Sequence, residues 1–202
     1  MSKLNTEDMV KAGVNFGHKV SKLHPKMKPY ISGVKNNVHV FDLEKTYKGK
    51  NILEVGNVLS HYFLVRHDII DKYEKAKNVI NKDITEYNPE KKYDLIISVS
   101  TLEHIGWEEK PKKPEKYEIA INHLKKMLVK GGKLIVTLPV GYNSFIDNKL
   151  KIRKLGFDKT YFMERYSKYN EWRQSGWKRA KEMKFNSPFR YANTIVIGII
   201  SG

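Results

Sequence analysis

Apolar residues fall in short clusters along this chain, separated by glycine, proline and charged stretches. Ile52, Leu53 and Val55, with Glu54 among them, form a run closed by Gly56. A short apolar run that ends on glycine predicts a buried parallel strand. Phe63 to Asp71 holds Leu64, Val65, Ile69 and Ile70 and predicts a second strand; Asn78 to Asn81 predicts a third. Parallel crossovers ordinarily take a dozen residues or more, mostly helical. Only a turn or two of helix fits around Val58 to Phe63, so the first helix is pared down. Tyr93 to Val99 is the clearest strand. After it, Tyr117, Ile121, Leu124 and Leu128 recur at helical spacing, with Gly131 as stop. Lys133 to Leu138, ended by Pro139, predicts a fifth strand, and Ser144 to Leu155 a helix ended by Gly156. Thr160 to Tyr166 and Thr194 to Ile200 predict two more strands. Strands alternating with helices indicate an α/β fold around a mostly parallel sheet.

Two stretches break this pattern. Glu108 to Lys116 is charged and proline-broken, which predicts an exposed loop. Ser167 to Ala192 carries Trp172, Trp177, Phe185 and Tyr191. These aromatics suit either the wall of an acceptor pocket or a small satellite core beneath a long connection.

The first 47 residues read differently. Thr6 is a candidate N-cap, and Met9, Val10 and Ala12 predict a short helix ended by Gly13. Pro25 and Pro29 favour an extended path, and Val38 to Asp42 predicts a strand. Lys19, Lys22, Lys26, Lys28 and Lys35 make the segment basic. Such a piece is too short to build a core of its own. His18 and His24 have no third ligand at a useful spacing, so no metal is expected.

Composition changes the picture in three ways. The 202 residues suit one domain with an appendage, here residues 48–202 and 1–47. There are no cysteines, which excludes disulfides and a thiolate nucleophile. With no apolar run near the roughly 20 residues of a membrane span, and no apolar segment after Met1, a cytoplasmic location is expected. The net charge of +16 favours polyanions such as RNA, or reflects no more than a lysine-rich solvated surface.

Two resemblances carry chemistry. ILEVG at 52–56, DIID at 68–71, KDI at 82–84, YDLIISVSTLEHIGW at 93–107 and LVKGGKLIVTLPVGYN at 128–143 resemble, in this order, a class I S-adenosylmethionine-dependent methyltransferase. The resemblance implies a Rossmann-like three-layer sandwich, with a mostly parallel sheet and a C-terminal antiparallel strand pair. It implies S-adenosyl-L-methionine as cofactor and methyl transfer to an unidentified acceptor, a small molecule or glycan among the possibilities. Of the family's glycine motif only Gly56 is present, which also suits a methyltransferase fold that binds no cofactor. Met9 to Thr46 resembles the N-terminus of the small-subunit ribosomal protein S2 family. By that resemblance the five lysines would contact RNA phosphates, and the alternative function is an RNA-binding or structural protein with an inactive methyltransferase-like domain.

The methyltransferase resemblance places Glu54, Gly56, Asp71, Asp83, Ser98 and Ser100 at the cofactor. Asp71 would accept from the ribose hydroxyls, with Asp68 as the alternative, and Asp83 from the adenine amine. Glu103 and His104 would stand at the catalytic centre, with Tyr142, Asn143 and Trp172 toward the acceptor. An imidazole changes charge near neutral pH, so His104 is a candidate general base, or else it caps a helix or supports the loop.

Overall fold

The computed structural model describes residues 16–19, 31–35, 38–41, 49–61 and 65–202. The chain divides into two units, residues 1–50 with 58–66, and residues 51–57 with 67–202. In the first unit, β1 (Phe16–Lys19), β2 (Ile31–Lys35) and β3 (Val38–Phe41) form an antiparallel sheet with β3 in the middle. The strand expected from Val38 is β3. The helix expected from Met9, and the side chains of Lys19, Lys22, Lys26, Lys28 and Lys35, lie outside the described residues.

The second unit is built on one sheet. Its strands are β4 (Ile52–Val55), β5 (Asp68–Ile70), β6 (Val79–Ile80), β7 (Tyr93–Val99), β8 (Leu128–Pro139), β9 (Lys159–Arg165), β10 (Trp172–Ser175) and β11 (Thr194–Ser201). Their order is β10-β9-β11-β8-β7-β4-β5-β6. Neighbours from β6 to β8 are parallel. β11 is antiparallel to both β8 and β9, and β10 to β9. This is a Rossmann-like sheet, mostly parallel with antiparallel strands at its C-terminal end.

Short connections dictate how the sheet is covered. Among the described residues, those after β4 and β5 hold one 3-10 turn, Leu59–His61, and no α-helix. The full crossover comes after β7, where α1 (Lys116–Lys126) buries the stripe Tyr117, Ala120, Ile121 and Leu124. α2 (Ser144–Lys151) follows β8 and buries Ile146 and Leu150. It stops four residues before the expected end, where Arg153 takes φ 54. The helices share one core with Leu53, Ile96, Leu134, Val136, Leu138 and Val196 of the sheet. Each fully buried aliphatic side chain contributes about 1.5–3 kcal/mol.

Other elements also differ from the expected bounds. β8 begins at Leu128 rather than Lys133 because the pairing with β7 slips between Tyr93 and Leu95, across Gly131 and Gly132. A Cβ on Gly132 would lie 2.9 Å from the Tyr93 carbonyl oxygen, so the strand passes there only as glycine. β10 is a strand inside the stretch read as an insert, and α3 (Trp177–Ala180) follows it, with Trp177 against Phe162 of β9. β5 covers only Asp68–Ile70 of the predicted second strand.

Candidate functional site

Parallel strands bring their carboxyl ends to one edge, and the crevice there is where open α/β sheets bind ligands. A cavity of about 400 Å³ lies at this edge, bounded by the ends of β4, β5 and β6 and by residues 101–109. Its floor is apolar, from Val55, Ile70, Ile84 and Ile105. Its rim is polar. Asp71, Glu74, Asp83, Glu108 and Glu109 stand there against Lys72 and Lys82. The cavity is therefore acidic in a chain of net charge +16.

Gly56 ends β4 and sets the turn. It takes φ +87, and its N–H donates to the Ile70 carbonyl at 2.8 Å. A Cβ there would run into the Thr101 side chain, which lines the same cavity. Asp71 follows β5. Its Oδ1 accepts from the Tyr73 and Glu74 N–H groups at 2.8 Å each, and Oδ2 from the Asn57 N–H at 3.2 Å. A carboxylate offers about four acceptor positions, so Oδ2 keeps capacity for a hydroxyl.

Asp83 is more fully engaged. Oδ1 accepts from the Thr85 N–H and hydroxyl at 3.0 and 2.7 Å. Oδ2 accepts from Lys116 Nζ at 2.6 Å and Lys72 Nζ at 3.0 Å. Glu109 Oε1 meets the same lysines at 2.7 and 3.5 Å. Burial alone would raise the Asp83 pKa; hydrogen bonds from Lys116, Thr85 and Lys72 outweigh it and hold the carboxyl well below the usual range. This four-membered clamp fastens the start of α1 and the 108–115 loop to the end of β6.

On the other side of the cavity His104 stands 43% exposed. Its Nδ1 lies 2.8 Å from Glu108 Oε1 and 3.1 Å from the Tyr142 hydroxyl, which also donates to Glu108. The Tyr142 and His104 bonds hold the Glu108 carboxyl below its ordinary range. Burial, and then Glu108, push the Tyr142 phenol up. With Nδ1–H donated to Glu108, Nε2 is the basic nitrogen. It lies 3.8 Å from Glu103 Oε1, beyond hydrogen-bond reach.

Of the residues predicted from sequence, the cavity brings together Gly56, Asp71, Asp83 and His104, and Tyr142 joins through its hydroxyl. The others do not line it. Glu54 is buried in β4 with His67 Nε2 at 2.7 Å. Ser98 is buried within β7. Ser100 is exposed at φ 46 and donates its N–H to Thr137 Oγ1. Glu103 turns inward and is 1% exposed. Asn143 is buried as the N-cap of α2: Oδ1 accepts from the Phe145 and Ile146 N–H groups, and Nδ2 donates to the Glu103 carbonyl. It thus holds the 101–107 segment rather than facing the cavity. Trp172 sits on β10, with Nε1 donating to Asn170 Oδ1. Sequence reasoning missed Lys72, Glu108, Glu109 and Lys116. For Glu108, Glu109 and Lys116 the signal was present, in the charges of the proline-broken loop, but Lys72 and Asp83, with which Glu109 and Lys116 pair, are distant in sequence. Among the described residues, no group of three or more His, Asp or Glu could hold a metal ion, and no helix is long and apolar enough to cross a membrane.

Comparisons with known proteins find two kinds of similarity, one in sequence and one in fold. The family model described as Ribosomal protein S2 matches residues 9–62. The small ribosomal subunit protein uS2 of Tolumonas auensis is 54% identical over 46 residues, 23% of this chain and 19% of that protein. The chain thus spans about a fifth of the length of the curated relatives it matches. Among solved structures, the N-methyltransferase NodS of Bradyrhizobium japonicum with S-adenosyl-L-homocysteine is 14% identical at TM-score 0.46, covering 79% of this chain and 83% of that one. A SAM-dependent methyltransferase of Archaeoglobus fulgidus is 14% identical at TM-score 0.44, covering 97% and 94%.

Proposed function

We propose that residues 48–202 bind S-adenosyl-L-methionine in the carboxyl-edge cavity and transfer its methyl group to an acceptor on the His104 side. One observation carries this reading: an apolar-floored, acid-rimmed cavity stands at the ends of β4, β5 and β6 in a strongly basic chain. The rim suits a ligand that carries positive charge and a diol, and the floor suits a flat heteroaromatic ring. Asp71 accepts from the ribose hydroxyls. Ile70, Ile84 and Ile105 enclose the ring. Asp83 reads the adenine amine only by exchange with Lys72, the more exposed of its two cationic partners. Glu54, Ser98 and Ser100 shape the strand ends behind these contacts. When bound, this cofactor supplies a sulfonium methyl open to in-line attack by a nucleophile.

The chain's own residues then do two things. They position the acceptor, the main source of rate in such chemistry. His104 Nε2 removes a proton from a hydroxyl or amine acceptor, while Glu108 and Tyr142 fix the imidazole through Nδ1. A protein of this design binds S-adenosyl-L-homocysteine. Asp71→Asn, which keeps Oδ1 as acceptor for the 73–74 turn, should weaken that binding at least about tenfold, as loss of a charge-assisted hydrogen bond implies. His104→Ala should leave it unchanged. Equal affinity in wild type and Asp71→Asn would refute the assignment of Asp71.

A second reading is favoured by the family-model match at residues 9–62. In it the basic N-terminal segment attaches the chain to RNA through Lys19, Lys22, Lys26, Lys28 and Lys35. RNA affinity would then fall steeply with salt, and deletion of residues 1–46 would weaken it and reduce that salt dependence. Binding that survives the deletion at full strength counts against it.

A further inference from the structure

Three tyrosines of the second unit are left in water at one end of its sheet. Tyr166, Tyr169 and Tyr191 are 50%, 76% and 60% exposed. The first two lie between β9 and β10, and the third in the loop before β11. Large rings ordinarily contribute by burial, so three exposed together mark a contact surface.

Both loops are closed by their own hydrogen bonds. In the first, the Tyr166 N–H donates to the Glu171 carbonyl, and the Ser167 hydroxyl to Glu171 Oε2 at 2.6 Å. In the second, the buried Asn193 donates to the carbonyls of Lys184, Phe189 and Tyr191, at 2.7 to 3.1 Å. Arg165 then joins the two. Its guanidinium donates to the Ser167 and Lys168 carbonyls on one side and to the Arg190 carbonyl on the other, at 3.0 to 3.1 Å, and lies over the Phe189 ring. The exposed rings therefore stand on a fixed base.

Cations accompany them. Lys168 Nζ lies 5.2 Å from the Tyr169 ring centre, the Arg190 guanidinium 4.9 Å from that of Tyr191, and Arg173 5.6 Å from that of Tyr166. Residues 159–192 hold nine Lys and Arg against three Glu. Of these acids, Glu164 is buried between Arg173 and Arg179. β9 and β8 are both antiparallel to β11 and so run parallel. The platform thus stands at the same carboxyl edge as the cavity.

We propose that this platform binds single-stranded nucleic acid, with bases stacked on Tyr169 and Tyr191 and phosphates met by Lys168, Arg173 and Arg190. Open rings set among cations are how single-strand binders work: each base offers a face to stack, and each phosphate a charge. A duplex hides its base faces and would use only the cations. A protein interface depletes charge at its centre, the reverse of this surface. Because the loops are fixed before binding, little ordering is needed. The proposal concerns binding and does not depend on methyl transfer.

Fluorescence anisotropy of a labelled single-stranded RNA of about twelve nucleotides tests it, on the full chain. Tyr169→Ala/Tyr191→Ala should raise Kd at least about tenfold, and by the same factor when Lys26→Ala/Lys28→Ala is also present in the N-terminal segment. Wild type should bind the single strand more tightly than a duplex of equal length or vesicles of phosphatidylglycerol. An unchanged Kd in the tyrosine variant, no binding by wild type, or preference for the vesicles or the duplex would each overturn the proposal. A second measurement needs no variant. RNA carrying 4-thiouridine should crosslink within residues 166–191 of the wild-type chain, and adducts confined to other segments would equally overturn it.

Discussion

Glu103 carries its carboxyl into the interior, where Oε2 has no hydrogen-bond partner and burial pushes its pKa up to about 8. An unfolded glutamate ionises near pH ~4.3. Between these values the folded state holds a proton that the unfolded state has lost, so stability falls as pH rises through the window and is level above it. Glu103→Gln should flatten that profile and, at pH 8, be more stable than wild type by a few kcal/mol, as urea denaturation at pH 5, 6.5 and 8 would measure. Parallel profiles for the two proteins would mean that the carboxyl is ionised when folded. Residues like this mark what a sequence can and cannot convey. Gly56, Asp71 and Asp83 were legible because each follows an apolar run, and strand ends fix position. Glu103 and His104 were legible as neighbours of the site, but not in direction. One turns inward and the other outward because residues 101–107 coil through a series of turns, held by bonds such as His104 N–H to the Thr101 carbonyl. The role of Asn143 as a cap was hidden for the same reason: its partner, Glu103, is 40 residues away.

At the level of elements, the segment from His104 to Lys116 decides the shape of the cavity. Gly106 pins it. This residue takes φ +70, its carbonyl accepts from the Lys113 N–H at 2.7 Å, and a Cβ would strike the Lys113 carbonyl. Gly106→Ala should therefore cost on the order of 2 kcal/mol in denaturation experiments, and should release Glu109 and Lys116 from the clamp on Asp83. Wild-type stability in that variant would show that the loop tolerates another path. The strands were legible where apolar runs are uninterrupted, β7 most of all. β10 was not, because Trp-Arg-Gln-Ser lacks apolar alternation and becomes a strand only by pairing with β9. The early start of β8 escaped because glycines read as stops, whereas Gly131 and Gly132 here let the strand bend and continue.

The whole molecule joins two unlike parts. Its N-terminal stretch matches a ribosomal family over residues 9–62, and its second unit is a Rossmann-like sheet with an acidic cavity at one edge and a basic, tyrosine-bearing platform further along it. The net charge of +16 accords with polyanion contact outside the cavity, while the carboxylates concentrate where a cationic ligand would sit. Both features were partly visible beforehand: the charge from composition, the cavity from the order of the strand ends. The clamp of Lys72, Lys116, Asp83 and Glu109 was not, since it joins charges from three connections. Whether the cavity holds the cofactor is decided by calorimetric titration of S-adenosyl-L-methionine and S-adenosyl-L-homocysteine into the full chain. Saturable one-to-one binding of both, in the micromolar range, is expected. No heat of binding from either ligand, with protein that melts cooperatively, would contradict it.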